Sequence, residues 1–270
     1  MSDFSTLELI KDPRGFATLW LNRADKNNAF NAQMIRELIV AIDQLGADAS
    51  LRFVLLRGRG RHFSAGADLA WMQQSAQLDF NTNLDDAHEL GELMYNLHNL
   101  KLPTVAVVQG AAFGGALGLI SCCDMAIGAE DAQFCLSEVR IGLAPAVISP
   151  FVVKAIGERA ARRYALTAER FNGLRARELG LLAEAYPGAE LEQQVEAWVD
   201  NLLLNSPQAL RVSKELLREV GHGELTPAVR RYCENSIARI RVSPEGQEGL
   251  RAFLEKRRPA WQDFDKEPRP

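Results

Sequence analysis

A chain of 270 residues, 47% hydrophobic and 24% charged, has the balance of a water-soluble globular protein and enough length to bury a large core. Its formal net charge of −4 argues against broad nucleic-acid or membrane-surface binding. No apolar run approaches the roughly 20 residues of a membrane span, and the opening MSDFSTLELIKD lacks the basic and apolar segments of a secretory signal, so a cytoplasmic location is expected.

LELIKDPRGFATLWLN reads as two strands around an Asp12-Pro13-Arg14-Gly15 turn. From Asn31 to Gly46, Met34, Ile35, Leu38, Ile42 and Leu45 recur at helical spacing, with Asn31 placed to cap the helix and Gly46 to end it. A buried strand at Phe53–Leu56 precedes the glycine-containing segment HFSAGADL, His62 to Leu69. The polar stretch Gln73 to Asp86 has the composition of a mobile loop or lid. A helix from about Ala87 to Leu100 leads to a second buried strand, Thr104–Val108, and a second such segment, QGAAFGGALG from Gln109 to Gly118. DMAIG and AQFCL supply two more short strands. After about Pro145 strand signals fade, and helices are predicted at Ser149–Gly157, Glu158–Thr167, Ala189–Leu204, Gln208–Val220, Pro227–Arg241 and Pro244–Arg257. The fold class is α/β, with a core over residues 1–200 and a helical region over 201–270.

Small residues after a strand let backbone N–H groups approach a ligand, and a helix starting there adds a positive dipole end. Two such turns facing one point can hold one oxygen between two amides, the device that stabilises an enolate or a tetrahedral intermediate. Asp68, Asp124, Glu130, Asp131 and Glu138 are the acids near these segments. Asp68 sits where a carboxylate usually caps local N–H groups. Glu138 has apolar neighbours in Leu136, Val139, Ile141 and Leu143, a setting that raises a carboxyl pKa toward neutrality. Adjacent Cys122 and Cys123, isolated Cys135 and Cys233, and histidines at 62, 88, 98 and 222 have neither disulfide nor metal-ligand spacing, so buried thiols in a reducing compartment and no metal are expected.

In order along nearly the whole chain, LNRADKNNAFN at 21–31, AGAD, GAAFGG, CCDMAI, AQFCLSEVRIGLAP and the terminal FLEKRRPAW at 253–261 resemble the crotonase superfamily of enoyl-CoA hydratases and isomerases. The resemblance implies a spiral of ββα units with a C-terminal helical trimerisation region, and a homotrimer or dimer of trimers. It implies an acyl-CoA thioester as substrate, with no separate cofactor and no nucleic-acid or membrane partner. The amides of Ala67 and Gly115 become the oxyanion hole and Glu138 the acid/base. Arg23 or Lys26 would meet the CoA phosphates, Ala65, Asp68, Leu69 and Gly114 would line the CoA cleft, and Trp71 and Met72 an acyl-pocket wall. Phe253 and Lys256 stand where family members reach a neighbouring subunit's CoA.

Two departures refine the expectation. Two-glutamate hydratases carry their second glutamate at the position of Gly118, so Glu138 is expected to work alone, as a single glutamate, or with a group from elsewhere, for which the polar stretch 73–92 offers Asp79, Asp85, Asp86, Glu89 and Glu92. GLAPAVISPFVVKAIG at 142–157 replaces the common PGxGG segment and looks like bacterial methylglutaconyl-CoA hydratases of leucine degradation, with Arg140 a partner for the second carboxylate of such a substrate. The alternatives are an enoyl-CoA isomerase, an isohexenylglutaconyl-CoA hydratase, or a non-catalytic relative that binds acyl-CoA or RNA.

Overall fold

The computed structural model describes residues 4–221 and 223–263, so His222 lies outside the described residues. Along the chain run β1 (Leu7–Asp12), β2 (Phe16–Leu21), α1 (Ala32–Ala47), β3 (Phe53–Gly58), α2 (Leu69–Ser75), α3 (Phe80–Asn99), β4 (Thr104–Val108), β5 (Ala111–Phe113) and α4 (Gly115–Cys122). Then come β6 (Met125–Ala129), β7 (Gln133–Cys135), α5 (Ser149–Ile156), α6 (Glu158–Thr167), β8 (Phe171–Asn172), α7 (Gly173–Glu178) and β9 (Glu184–Tyr186). Four helices close the chain: α8 (Leu191–Leu203), α9 (Pro207–Val220), α10 (Pro227–Val242) and α11 (Pro244–Leu254). The expected α/β fold with C-terminal helices is the one observed.

The main sheet has the order β1-β2-β3-β4-β6-β9, and only its first pair is antiparallel. The continuous apolar runs of β3 and β4 suit its interior, where parallel strands are covered on both faces. A second sheet, β5-β7-β8, sits beside it. On α1, Met34, Ile35, Leu38, Ala41, Ile42 and Leu45 are buried, and the Asn31 side chain accepts the Met34 N–H as predicted. Gly46 lies inside that helix rather than ending it.

Two further expectations are corrected. The polar stretch 73–86 is not a loop: it holds the end of α2 and the start of α3. Asp79 caps α3 by accepting the Thr82 N–H at 2.8 Å, and Asn83 Nδ2 donates to the carbonyls of Ser75, Leu78 and Asp79. These polar residues stabilise helix ends, so a polar composition coexists with helix. Strand structure also continues past Pro145. β9 extends the main sheet through Ile127↔Glu184, Gly128↔Ala185 and Ala129↔Tyr186, and is too short to reveal an alternation.

The C-terminal helices dock through polar anchors. Lys214 of α9 donates to Asp124 at 2.7 Å and to the Leu102 carbonyl at 2.9 Å. Arg52, only 6% exposed, donates to the carbonyls of Leu203, Asn205 and Trp261. α9 and α10 bury no residue, and Leu217, Ile237, Val242, Leu250, Phe253 and Leu254 leave an uncovered apolar face on α9–α11.

Candidate active site

The two glycine-containing turns are hydrogen-bonded to each other. Phe63 N–H donates to the Gln109 carbonyl at 2.9 Å, Ser64 N–H to Ala111 at 3.0 Å, and Phe113 N–H to Ser64 at 3.1 Å. The His62 Nδ1 accepts the Ala111 N–H at 2.9 Å, a role that proximity to the first turn hinted at without revealing. Gly110 makes this approach possible: it has φ +62°, and a Cβ there would lie 2.1 Å from the Arg61 carbonyl oxygen.

Each turn presents one amide. Phe30 bridges either side of Ala67: its N–H donates to the Gly66 carbonyl at 2.7 Å and its carbonyl accepts the Asp68 N–H at 2.8 Å. The Ala67 N–H between them donates to no acceptor among the described residues. Gly115 opens α4 behind Gly114, whose φ is +53°. Its N–H is one of the donors that a helix start leaves without an intrahelical partner, at the positive end of the helix dipole. Both amides line one cleft of about 1110 Å³.

Glu138 lines the same cleft at the start of a 3-10 turn, Glu138–Ile141. A Cβ on Gly114 would lie 3.2 Å from Glu138 Oε1, which places the carboxylate over the residue preceding the Gly115 amide. Glu138 Oε2 is buried and has no hydrogen-bond partner among the described residues. Burial pushes the carboxyl above its ordinary pKa, against a weaker opposing pull from its own backbone N–H. A carboxyl raised in this way is suited to taking and returning a proton near neutral pH.

The other acids have structural duties or lie elsewhere. Asp68 caps α2 through the Ala70 and Trp71 N–H groups and pairs with Arg23 at 3.0 Å. Burial acts to raise its pKa, but the hydrogen bonds from Arg23, Trp71 and Ala70 outweigh it and hold the carboxyl below the usual range. Asp124 binds Thr104 and Lys214. None of Asp79, Asp85, Asp86, Glu89 and Glu92 lines the cleft; Glu89 faces Arg36 at 3.5 Å.

Arg23, Lys26, Ala65, Leu69, Trp71 and Met72 line the cleft together with Asp68, Gly114 and Glu138. Arg23 is already committed, since it also donates to the Ala29 carbonyl at 2.6 Å. Arg140 lines the cleft too and donates to the Ala168 carbonyl at 2.7 Å. Phe253, 81% exposed, and Lys256 are not part of this cleft within the chain. Ile148, which sequence reasoning missed, packs on Gly118: a Cβ at 118 would lie 2.3 Å from Ile148 Cγ2 and 3.1 Å from Met94 Cε. A pair of free amides beside one raised carboxylate can stabilise negative charge on a carbonyl oxygen while moving a proton at a neighbouring carbon.

Residues 11–265 match the family model described as enoyl-CoA hydratase/isomerase. The crystal structure of an enoyl-CoA hydratase from Shewanella pealeana is 47% identical, with a TM-score of 0.91 over 96% of this chain and 97% of that one. The trans-2-decenoyl-[acyl-carrier-protein] isomerase of Streptococcus mutans is 30% identical over 91% of this chain and 94% of its own length. The 2,3-dehydroadipyl-CoA hydratase of Escherichia coli is 28% identical over 89% of this chain and 92% of its own. The chain belongs to the enoyl-CoA hydratase/isomerase family, the crotonase superfamily.

Proposed function

We propose that this protein hydrates an α,β-unsaturated acyl-CoA, with 3-methylglutaconyl-CoA as the substrate and 3-hydroxy-3-methylglutaryl-CoA as the product, a step of leucine degradation in the cytoplasm. The observation that carries the reading is Glu138, a carboxyl raised by burial, with an unpartnered oxygen, beside the start of α4. The thioester oxygen sits between the Ala67 and Gly115 N–H groups. Glu138 takes a proton from water as its oxygen attacks Cβ, and the electron pair of the double bond moves onto the thioester oxygen as an enolate. The enolate collapses when Glu138 returns the proton to Cα, so one carboxyl serves both half-steps. The amides contribute most where negative charge grows, which is in the transition state rather than in the bound substrate.

Arg140 supports a dicarboxylic acyl group. Among the described residues one of its guanidinium nitrogens is committed, to the Ala168 carbonyl, leaving N–H donors for a terminal carboxylate in the cleft that holds Glu138. The E. coli relative's name likewise gives an acyl group with a second carboxyl. Lys26 is the cation for the CoA phosphates, because Arg23 is held by Asp68 and Ala29. The uncovered apolar face of α9–α11 supports a homotrimer or dimer of trimers, in which Phe253 and Lys256 reach a neighbouring subunit's CoA.

One observation favours a second reading, double-bond isomerisation. With Ile148 filling the space beside Gly118, no second carboxyl stands at that position, which leaves Glu138 to shuttle a proton between carbons, and the S. mutans relative is named as an isomerase. Turnover of 3-methylglutaconyl-CoA in oxygen-18 water, with Glu138→Gln as control, separates the two. Label in the product, lost in the variant, supports the hydratase. An unlabelled product with a migrated double bond, across a panel of enoyl-CoAs, overturns it in favour of the isomerase.

A further inference from the structure

We infer that Phe30 is a positioning residue that sets the spacing between the two halves of the oxyanion hole; the inference rests on the reading that Ala67 and Gly115 hold the thioester oxygen. Phe30 is 3% exposed and touches both turns by different means. Its backbone straddles Ala67 through the Gly66 and Asp68 bonds at 2.7 and 2.8 Å. Its ring lies against Gly115: a Cβ there would be 3.2 Å from Phe30 Cε2 and 3.3 Å from Cδ2. Gly115 is not among the glycines with positive φ, so its backbone conformation suits any residue. What makes glycine fit at 115 is the ring of Phe30.

The segment carrying Phe30 is itself fixed. Arg23 ties it down at Asp68 and at the Ala29 carbonyl. Asn28, fully buried, donates to the carbonyls of Arg59 and His62 and accepts the Arg23 N–H. Phe30 therefore stands on a rigid base, with one amide held by its main chain and the other residue abutted by its side chain. Shortening the side chain frees α4 to shift toward the gap while leaving the Ala67 turn in place. An oxyanion hole is sensitive to such a change, because a misplacement of about 1 Å costs on the order of 10²-fold in rate.

The test uses Phe30→Leu, Gly115→Ala and the double variant, read by turnover and by the enolate absorbance of bound acetoacetyl-CoA. That ligand has an acidic Cα–H, and its enolate is stabilised by the same two donors without any water addition. Phe30→Leu is expected to lower kcat on the order of 10²-fold with KM within about threefold, and to weaken the enolate band at equal ligand occupancy. Gly115→Ala should lose activity in the presence of Phe30 and lose less beside Leu at 30, because the added methyl occupies the vacated space. Gly115→Ala also tests the spacing from the α4 side, by pressing on the Phe30 ring rather than removing it. An enolate band in the unsubstituted protein that persists undiminished in Phe30→Leu, or purely multiplicative effects in the double variant, overturns the spacer role alone. No enolate band in the unsubstituted protein overturns the oxyanion reading and this inference with it.

Discussion

Gly118 of α4 and Ile148 at the start of α5 are packed so closely that a single added carbon on the glycine would fall 2.3 Å from Ile148 Cγ2. The position that the resemblance assigns to a second acid in two-glutamate hydratases is closed here by an aliphatic side chain, so a carboxylate cannot be added there without removing Ile148. Gly118→Ala is expected to cost about 1–3 kcal/mol of stability by overpacking. Combined with Ile148→Ala it should cost less than the two changes summed, since the second change makes room for the first. Urea unfolding of the two single variants and the double variant measures the coupling; additive losses would mean that the two residues do not compete for space.

How far the sequence discloses this site depends on the range of the interactions. The capping Asn31, the apolar stripe of α1, the buried strands and the two small-residue turns are local signals, and all lie where the pattern places them. The residues read as oxyanion donors, acid and CoA lining fall in one cleft because each belongs to a strand end or a turn fixed by its own segment. What stayed hidden depends on contacts between distant segments: Ile148 on Gly118, the Phe30 ring on Gly115, His62 on Ala111, and Arg23 on Asp68. Residues 73–86 are illegible for another reason: α2 has no buried residue, and the buried residues of α3, Leu93, Met94 and Leu97, all lie in its second half, where the helix is predicted, so polar composition masks the helical period before it.

On the proposed reading, Glu138 ties activity to a stability cost. Its pKa is raised in the folded protein, so folding favours the neutral carboxyl. That contribution is fully present below the ordinary value of 4.5 and is lost as pH rises through the folded pKa. Glu138→Gln, neutral at every pH, is expected to melt no lower than the unsubstituted protein at pH 7, with the difference closing in acid. Turnover should fall about 10²–10⁴-fold, the loss typical of a missing acid/base. The acid limb of kcat/KM should lie above the ordinary carboxylate range. Calorimetry and a pH–rate profile check both; a clearly less stable variant at neutral pH would mean that Glu138 is primarily structural.

His62 works in the opposite direction. Burial first, and Arg61 second, lower its pKa, while its Nδ1 must be unprotonated to accept the Ala111 N–H. A depressed folded pKa gives stability that is complete above the unfolded value of 6.5 and is lost as pH falls through the folded one. His62→Ala leaves a half-buried N–H without its acceptor and should cost about 1–3 kcal/mol at pH 8. The penalty should shrink as pH falls through the folded pKa, which lies below 6.5, because the unsubstituted protein then loses the same bond. Denaturant titrations of both proteins from pH 8 downward decide it: a penalty that never shrinks before the unsubstituted protein itself unfolds means that the hydrogen bond is not what the imidazole contributes.

Arg23 and Lys26 line the same cleft but are expected to fail differently when removed. The Arg23–Asp68 pair is largely shielded, with side chains 17% and 13% exposed, and it holds the Phe30 turn against the start of α2. Losing the guanidinium leaves Asp68 with its two backbone donors but without its counter-ion. Arg23→Met should therefore lower the melting temperature and kcat together, since the Ala67 turn loses its brace, while the salt dependence of CoA binding stays as it was. Lys26→Met should leave melting unchanged, raise KM, and flatten the dependence of KM on ionic strength, as expected of a solvated cation facing phosphates. Titrating free CoA calorimetrically at low and high salt separates the two effects. Should Arg23→Met flatten the salt dependence and Lys26→Met leave it intact, the phosphate contact belongs to Arg23, and the ion pair with Asp68 opens when CoA binds.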